Sequence, residues 1–252
     1  MRRFKIKLLF CLFVIIVSSS LYALHSVLPD ELVMMQTTPQ NHLIRCFKKG
    51  NSGENIMLIG CVHGNEKAGI LISTRVLNEI FARSDMKNTL ICIPSANPDG
   101  NLLNIRTNSN RIDINRNFPA SNWVYIDSAK LKYDKKNYWG GIQPASETET
   151  KFILKIDSMY HPDAFIILHQ FMNCVQYDGT GLDLASFISK RTRQKLLDNI
   201  GYKTEGSIGS YFGDNKRKEV VTIELPESPS DSLQMNLVNA IVDAVAKGYK
   251  NQ

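Results

Sequence analysis

Residues 56–69 read Ile-Met-Leu-Ile-Gly-Cys-Val-His-Gly-Asn-Glu-Lys-Ala-Gly. Four apolar residues of strand character, Ile56 to Ile59, run into Gly60, Cys61 and Val62, and His63 comes next with Glu66 three positions on. Gly64 and Asn65 between them are residues that let a chain leave a strand and start a helix. A His and a Glu at such a corner can point into one cavity at the carboxyl end of a strand, where open α/β sheets place their sites. Both side chains are good zinc donors, and a catalytic zinc uses three protein ligands with a fourth position open. The plainer alternative is a surface turn whose Glu caps the next helix.

Outward from this corner the chain alternates strands and helices. Lys67 to Arg83 carries Ile70, Ile72, Val76, Leu77, Ile80 and Phe81 at helical spacing. Thr89 to Pro94 is a strand, so a right-handed crossover to a parallel neighbour is expected. Upstream, His42 to Phe47 and Asn55 to Cys61 flank the turn Lys48 to Glu54, which predicts a hairpin. Val27 to Asn41, with Pro29 and Pro39, reads as an irregular lead-in. Ser95 to Pro119 has no clear period; its three arginines and seven asparagines favour a binding loop. Ser121 to Gln143 is also rich in loop residues.

A helix is predicted from Ser146 to Tyr160, opened by a capping box in which Glu147 and Glu149 serve as first-turn acids. Pro162 to His169 is an apolar strand ending in a polar residue. Asp183 to Ile200 reads as helix, Gly206 to Gly213 as a glycine-punctuated loop, and Asp231 to Tyr249 as a last amphipathic helix. Glu219 to Leu225 is a strand with the carboxylate of Glu224 inside an apolar run, stopped by Pro226. These elements predict one α/β domain over 24–252, built on a mixed, mostly parallel twisted sheet flanked by helices on both faces.

The chain has 252 residues, 43% of them hydrophobic and 21% charged, enough for a substantial core. Its net charge is +6, but Arg2, Arg3, Lys5 and Lys7 supply four of those charges, so nucleic acid is not expected as a partner. A basic head leading into the apolar run Leu8 to Val17 and three serines gives residues 1–23 the outline of a secretory signal peptide, with an uncleaved membrane anchor as the alternative. The expected location is therefore periplasmic or secreted, with the membrane met only through this segment, and the chain is read as a monomer. Export permits disulfides, yet Cys61 and Cys92 sit in apolar strand runs where free cysteines act as core residues.

Three strand ends thus carry His63 with Glu66, then His169, then Glu224. Each taken alone has a plainer reading: His169 as a satisfied core histidine, Glu224 as half of a buried ion pair. Together, two histidines and a glutamate form a catalytic zinc set, and a further glutamate supplies a base.

The blocks His63-Gly64-Asn65-Glu66, Asn97-Pro98-Asp99-Gly100, Arg106-Thr107-Asn108, Asp113-Ile114-Asn115-Arg116-Asn117-Phe118-Pro119, Leu168-His169 and Thr222-Ile223-Glu224-Leu225-Pro226 fall in the order seen in zinc carboxypeptidases. The chain most resembles the bacterial branch of that family that includes murein peptide amidases, from about Ile56 to Pro226. The resemblance implies that His63, Glu66 and His169 hold one zinc ion, that Glu224 is general base and then proton donor, and that Arg106 stabilises the oxyanion. It implies that Asn115 and Arg116 grip a substrate carboxylate, for which a planar guanidinium is suited. Tyr211 is expected to assist the transition state, since Gly206 to Tyr211 matches a pattern of bacterial amidases; Tyr202, 22 residues before Glu224, is the alternative. Gln170 stands where an acid often comes after the histidine, so another partner is expected to set the His169 tautomer.

The resemblance and the leader together imply an exported zinc hydrolase acting on a peptide or muropeptide, cutting between a γ-linked D-glutamate and a diamino acid. A general exported metallocarboxypeptidase is the alternative within the class, and a non-catalytic peptide-binding protein on the same scaffold the alternative outside it.

Overall fold

The structure, a computed structural model, describes residues 31–250, the side chains of residues 133–135 aside. The expected signal or anchor at 1–23 lies outside the described residues. Contacts divide the chain after Val33, and the unit that begins at Met34 holds every candidate site residue. Among the described residues no helix is long and apolar enough to cross a membrane.

Eight strands form a single mixed sheet in the order β1-β2-β4-β3-β5-β8-β6-β7. They are β1 (Leu32–Thr37), β2 (Leu43–Lys49), β3 (Asn55–Ile59), β4 (Thr89–Ile93), β5 (Ala164–Gln170), β6 (Cys174–Gly179), β7 (Lys195–Leu197) and β8 (Glu219–Leu225). The helices are α1 (Ala68–Phe81), α2 (Pro98–Leu103), α3 (Thr148–Tyr160), α4 (Leu182–Thr192) and α5 (Asp231–Lys247). β4-β3-β5-β8 is a parallel block. β4 and β5 are buried at every position, as continuous apolar runs in a parallel sheet should be. α1 and α4 both pack against α5.

The expected hairpin does not form. β4 lies between β2 and β3, antiparallel to the first and parallel to the second. The turn between β2 and β3 instead crosses the start of β4: Thr89 Oγ1 donates to the Ser52 carbonyl, and the Glu54 amide donates to Asn88 Oδ1. Gly53, at φ 66°, passes so close to Lys87 that a Cβ would lie 2.1 Å from its carbonyl oxygen. A central apolar strand needs hydrogen-bond partners on both edges, and β4 finds its second one in β2.

Other boundaries also move. The lead-in contains β1, and Ser95 to Pro119 contains α2, where Asn97 caps Gly100 N and Pro98 opens the helix. The predicted helix over 183–200 stops at Thr192, because Arg193 turns left-handed at φ 59° and the chain continues as β7. The glycine-punctuated segment is a π-helical turn over Gly209–Asn215. Ser146 opens no capping box: its hydroxyl donates to Glu147 Oε1 at 2.6 Å, and Glu147 makes no side-chain cap. Glu147 and Glu149 instead receive the Asn108 amide at 2.7 and 3.2 Å. All four described cysteines are buried and free.

Candidate active site

Three strand ends and one long loop build the site. After β3, the Cys61 carbonyl accepts from Asn97 N and the Val62 carbonyl from Asn97 Nδ2, so the loop after β4 continues the pairing of the two strands. A tight turn comes next, closed by Glu66 N donating to His63 O at 3.1 Å. Gly64 is needed there, since a Cβ would lie 2.0 Å from the Gly100 carbonyl carbon. β5 delivers His169 at its end, and β8 sets Glu224 beside it in parallel register.

Glu66 lies between the two histidines. Its Oε1 is 2.8 Å from His63 Nδ1 and its Oε2 is 2.7 Å from His169 Nδ1. One donor atom from each residue lies within 4.8 Å of the other two, and all three side chains are buried. Burial pushes the Glu66 carboxyl up, but the His63 and His169 imidazoles outweigh it and hold the group below the ordinary carboxylate range. Two imidazole nitrogens and one carboxylate oxygen facing a cavity are a donor set that fits zinc with a position left open.

Behind the triad stands Asp113, to which the residue pattern alone assigns no role. Asp113 Oδ1 is 3.1 Å from His63 Nε2, while its Oδ2 accepts from Arg106 Nε and Nη2 at 3.0 and 2.9 Å. Burial works to raise its pKa, and Arg106 and His63 more than reverse that. A carboxylate on the far nitrogen of a ligating histidine fixes ring and tautomer. The signal was available, because Asp113 heads the block containing Asn115 and Arg116.

On His169 the far nitrogen lies 3.3 Å from Asn115 Nδ2, a donor, so Asn115 does not take the place of an acid that would accept the ring proton. Gln170 is engaged elsewhere: its Oε1 accepts from Ala68 N at the start of α1. Asn115 Oδ1 also accepts from Ile208 N, so its amide is held at both ends although it lines the cavity.

These groups open into one cavity of about 200 Å³, lined by the triad and by Arg106, Arg116, Tyr202 and Glu224 among others. Arg106 lies under the Tyr138 ring, with its guanidinium carbon 4.7 Å from the centroid. Arg116 is buried, donates to the Asn115 carbonyl at 2.6 Å, and has no carboxylate within ion-pair distance among the described residues. Glu224 Oε2 is buried without a hydrogen-bond partner. Desolvation raises the Glu224 pKa, and Glu66 adds to it. An acid whose pKa is raised and which lines the cavity is suited to taking and returning a proton.

One expected residue is elsewhere. Tyr211 sits in the π-helical turn with its ring 4.8 Å from that of Phe212 and 6.3 Å from that of Phe118, and it does not line the cavity. Tyr202 does, and burial together with Glu224 raises its phenol pKa. The glycine and serine pattern that favoured Tyr211 builds the turn: Ser210 N donates to Ser207 Oγ, and the hydroxyl of Ser210 to the Thr204 carbonyl.

Comparison with known proteins agrees with this geometry. Residues 21–238 match the family model described as zinc carboxypeptidase. Murein peptide amidase A of Escherichia coli is 28% identical over 185 residues, which covers 71% of this chain and 74% of that protein. The protein of the same name from Vibrio campbellii is 28% identical over 180 residues, covering 69% and 71%. Among solved structures, a murein-tripeptide amidase from Escherichia coli O157 superposes with a TM-score of 0.69 at 24% identity, covering 83% of this chain and 89% of that one. Bovine thrombin-activatable fibrinolysis inhibitor gives 0.70 at 16% identity, covering 92% and 94%. At those identities the structural likeness speaks for the fold alone.

Proposed function

This chain belongs to the zinc carboxypeptidase family, and from that premise we propose that it is an exported amidase of peptidoglycan stem peptides, cutting between a γ-linked D-glutamate and a diamino acid. That it is a zinc metallohydrolase of the carboxypeptidase and amidase type is established by the family match and its relatives. The murein peptide amidase names of those relatives support the substrate. The basic head and apolar run of residues 1–23 support export.

One observation carries the reading: the triad, Glu224 and two arginines share a single cavity. His63, Glu66 and His169 would hold the metal, and Asp113 would orient the His63 imidazole. Zinc bound there supplies Lewis acidity, which acidifies water and polarises an amide carbonyl. Arg116, which has no carboxylate within ion-pair distance among the described residues, binds the substrate's terminal carboxylate through two parallel N–H bonds. Glu224 takes a proton from water and passes it to the nitrogen of the leaving amine. Arg106, its charge anchored on Asp113, offers N–H groups to the carbonyl oxygen as negative charge grows on it.

The test is a digest. Purified chain, with its zinc content measured, is incubated with muropeptides and separately with ordinary peptides ending in a free carboxylate. Release of a diamino acid product from muropeptides alone supports the amidase; equal trimming of ordinary peptides makes it a general carboxypeptidase. A Glu224→Gln variant that hydrolyses as fast as the parent would sink the mechanism. N-terminal sequencing of protein recovered from cell fractions tests export: a start at Met1 in the cytoplasm contradicts it.

A further inference from the structure

Arg106 is held at one edge and on one face, and only the edge enters the mechanism above. Its Nε and Nη2 both donate to the same atom, Asp113 Oδ2, at 3.0 and 2.9 Å. A fork of parallel bonds to two oxygens would fix the whole guanidinium plane. Bonds that converge on one oxygen fix the edge and leave the plane free to tilt about it. Nη1, outside this fork, is 3.9 Å from Glu66 Oε1, beyond hydrogen-bond distance. The face of the guanidinium meets the Tyr138 ring, with Cζ 4.7 Å from the centroid.

That ring is carried on a fastened segment. Tyr138 ends a short 3-10 turn, Tyr133–Tyr138, and the chain directly after it is tied to the site loop. Asp113 N donates to the Trp139 carbonyl at 2.8 Å, and Asn117 Nδ2 donates to the Gly140 carbonyl at 2.8 Å. A Cβ on Gly140 would lie 2.3 Å from the Arg116 carbonyl oxygen, so the two segments are in close contact there. The Trp139 indole donates to the Ile126 carbonyl at 2.9 Å. Asp113 thus sets both restraints on Arg106: its carboxylate takes the edge, and its amide anchors the residue next to the ring. Tyr138 lines the catalytic cavity and is 43% exposed. A ring left this open contributes little to a core, and a guanidinium is the partner to which its negative face is suited.

We infer that Tyr138 is a positioning residue of the hydrolysis: its ring holds the Arg106 guanidinium in the plane that aims the remaining N–H groups at the carbonyl oxygen. The inference rests on the hydrolase reading above, in which Arg106 stabilises the oxyanion. A donor already oriented needs no reorganisation as charge grows on that oxygen, so the ring acts on kcat more than on substrate binding. The acting group is the face of the ring, so phenylalanine serves at this position and an aliphatic side chain does not.

The experiment uses the full chain loaded with zinc and the substrate that the digest identifies. Tyr138→Leu is compared with Tyr138→Phe, the latter also made with phenylalanines of increasing ring fluorination, which drain the negative face at nearly constant shape. Tyr138→Leu is expected to lower kcat by about 2- to 30-fold, the range of a cation–π contact, with KM near the parental value. Tyr138→Phe keeps kcat close to parental, and each added fluorine lowers it. A double-mutant cycle identifies the partner: in an Arg106→Ala background, Tyr138→Leu causes no further loss. Arg106→Ala at full activity would sink the oxyanion reading. A crippled Arg106→Ala beside a fully active Tyr138→Leu leaves that reading standing and overturns the inference about Tyr138. Equal kcat along the fluorine series, or additive losses in the cycle, overturns it as well. Nitrogen NMR of the arginine side chains reads the contact without turnover: the Arg106 Nε–H order parameter should fall in Tyr138→Leu, and an unchanged value overturns the inference.

Discussion

Glu149 offers a sharp test of how the site loop is held. It lies in the first turn of α3 and is 1% exposed. Its Oε2 accepts from Asn108 Nδ2 at 3.2 Å, and its Oε1 has no partner. Asn108 Oδ1 in turn accepts from the amides of Asn110 and Ile112, which fixes the loop leading to Asp113, Asn115 and Arg116. Burial pushes the Glu149 carboxyl from its ordinary 4.5 up to about 7, with Glu147 and Asp99 adding to the rise. Linkage gives the sign. An acid with a raised folded pKa costs nothing below the unfolded value and destabilises progressively as pH rises through the folded one. A rise from 4.5 to about 7 corresponds to about 3 kcal/mol, complete by about pH 8. Urea unfolding of the parent and of Glu149→Gln between pH 4.5 and 8 measures it, with zinc removed so that proton-linked metal binding does not contribute. Any cost of burying the new amide is independent of pH and shifts the variant's curve as a whole. The expected result is a stability difference that moves by about 3 kcal/mol in favour of the variant as pH rises. Parallel curves would refute the reasoning, because a first-turn acid open to solvent would behave that way.

Glu224→Gln should lower kcat by about 10²- to 10⁴-fold while the zinc content, read by metal analysis, stays at the parental level, since Glu224 is outside the triad. Asp113→Asn should weaken zinc binding by about 10- to 100-fold in a competition with a chromophoric chelator, because His63 loses the carboxylate on its far nitrogen. Tyr202→Phe should reduce kcat/KM by about 10-fold if its phenol donates to the transition state, whereas Tyr211→Phe should leave kcat/KM unaltered; the reverse pattern would restore Tyr211 to the site.

The parts of this molecule that could be read from the chain are those written in runs. β3, β4 and β5 carry apolar runs and β8 a mostly apolar one, which is how a buried parallel strand announces itself. Each metal-capable residue stood out because it interrupted such a run or ended it, as His169 and Glu224 do. β6 and β7 were hidden for the complementary reason. Cys174 to Gly179 mixes polar and apolar residues because one face of it lines a wet cavity, and Lys195–Leu197 is too short to have a period. Strand order was hidden too: the Lys48 to Glu54 turn fits a hairpin, and only the demand of β4 for a second neighbour forces β2 past it.

The second rank of site residues was unreadable on different grounds. Asp113, Asn108, Glu147 and Glu149 act through partners between 7 and 50 positions away, as in Asp113 with Arg106 and His63, or Asn108 with Glu147 and Glu149. A carboxylate three residues after a serine ahead of a helix has a local explanation, the capping box, and that explanation suffices until the fold brings an asparagine amide to it. The same holds at Tyr211, where the spacing of glycine and serine describes how the turn closes and says nothing about which phenol faces the cavity. Local pattern therefore identified groups that pay a burial cost in an apolar run, and it missed groups whose charge is offset across the loop.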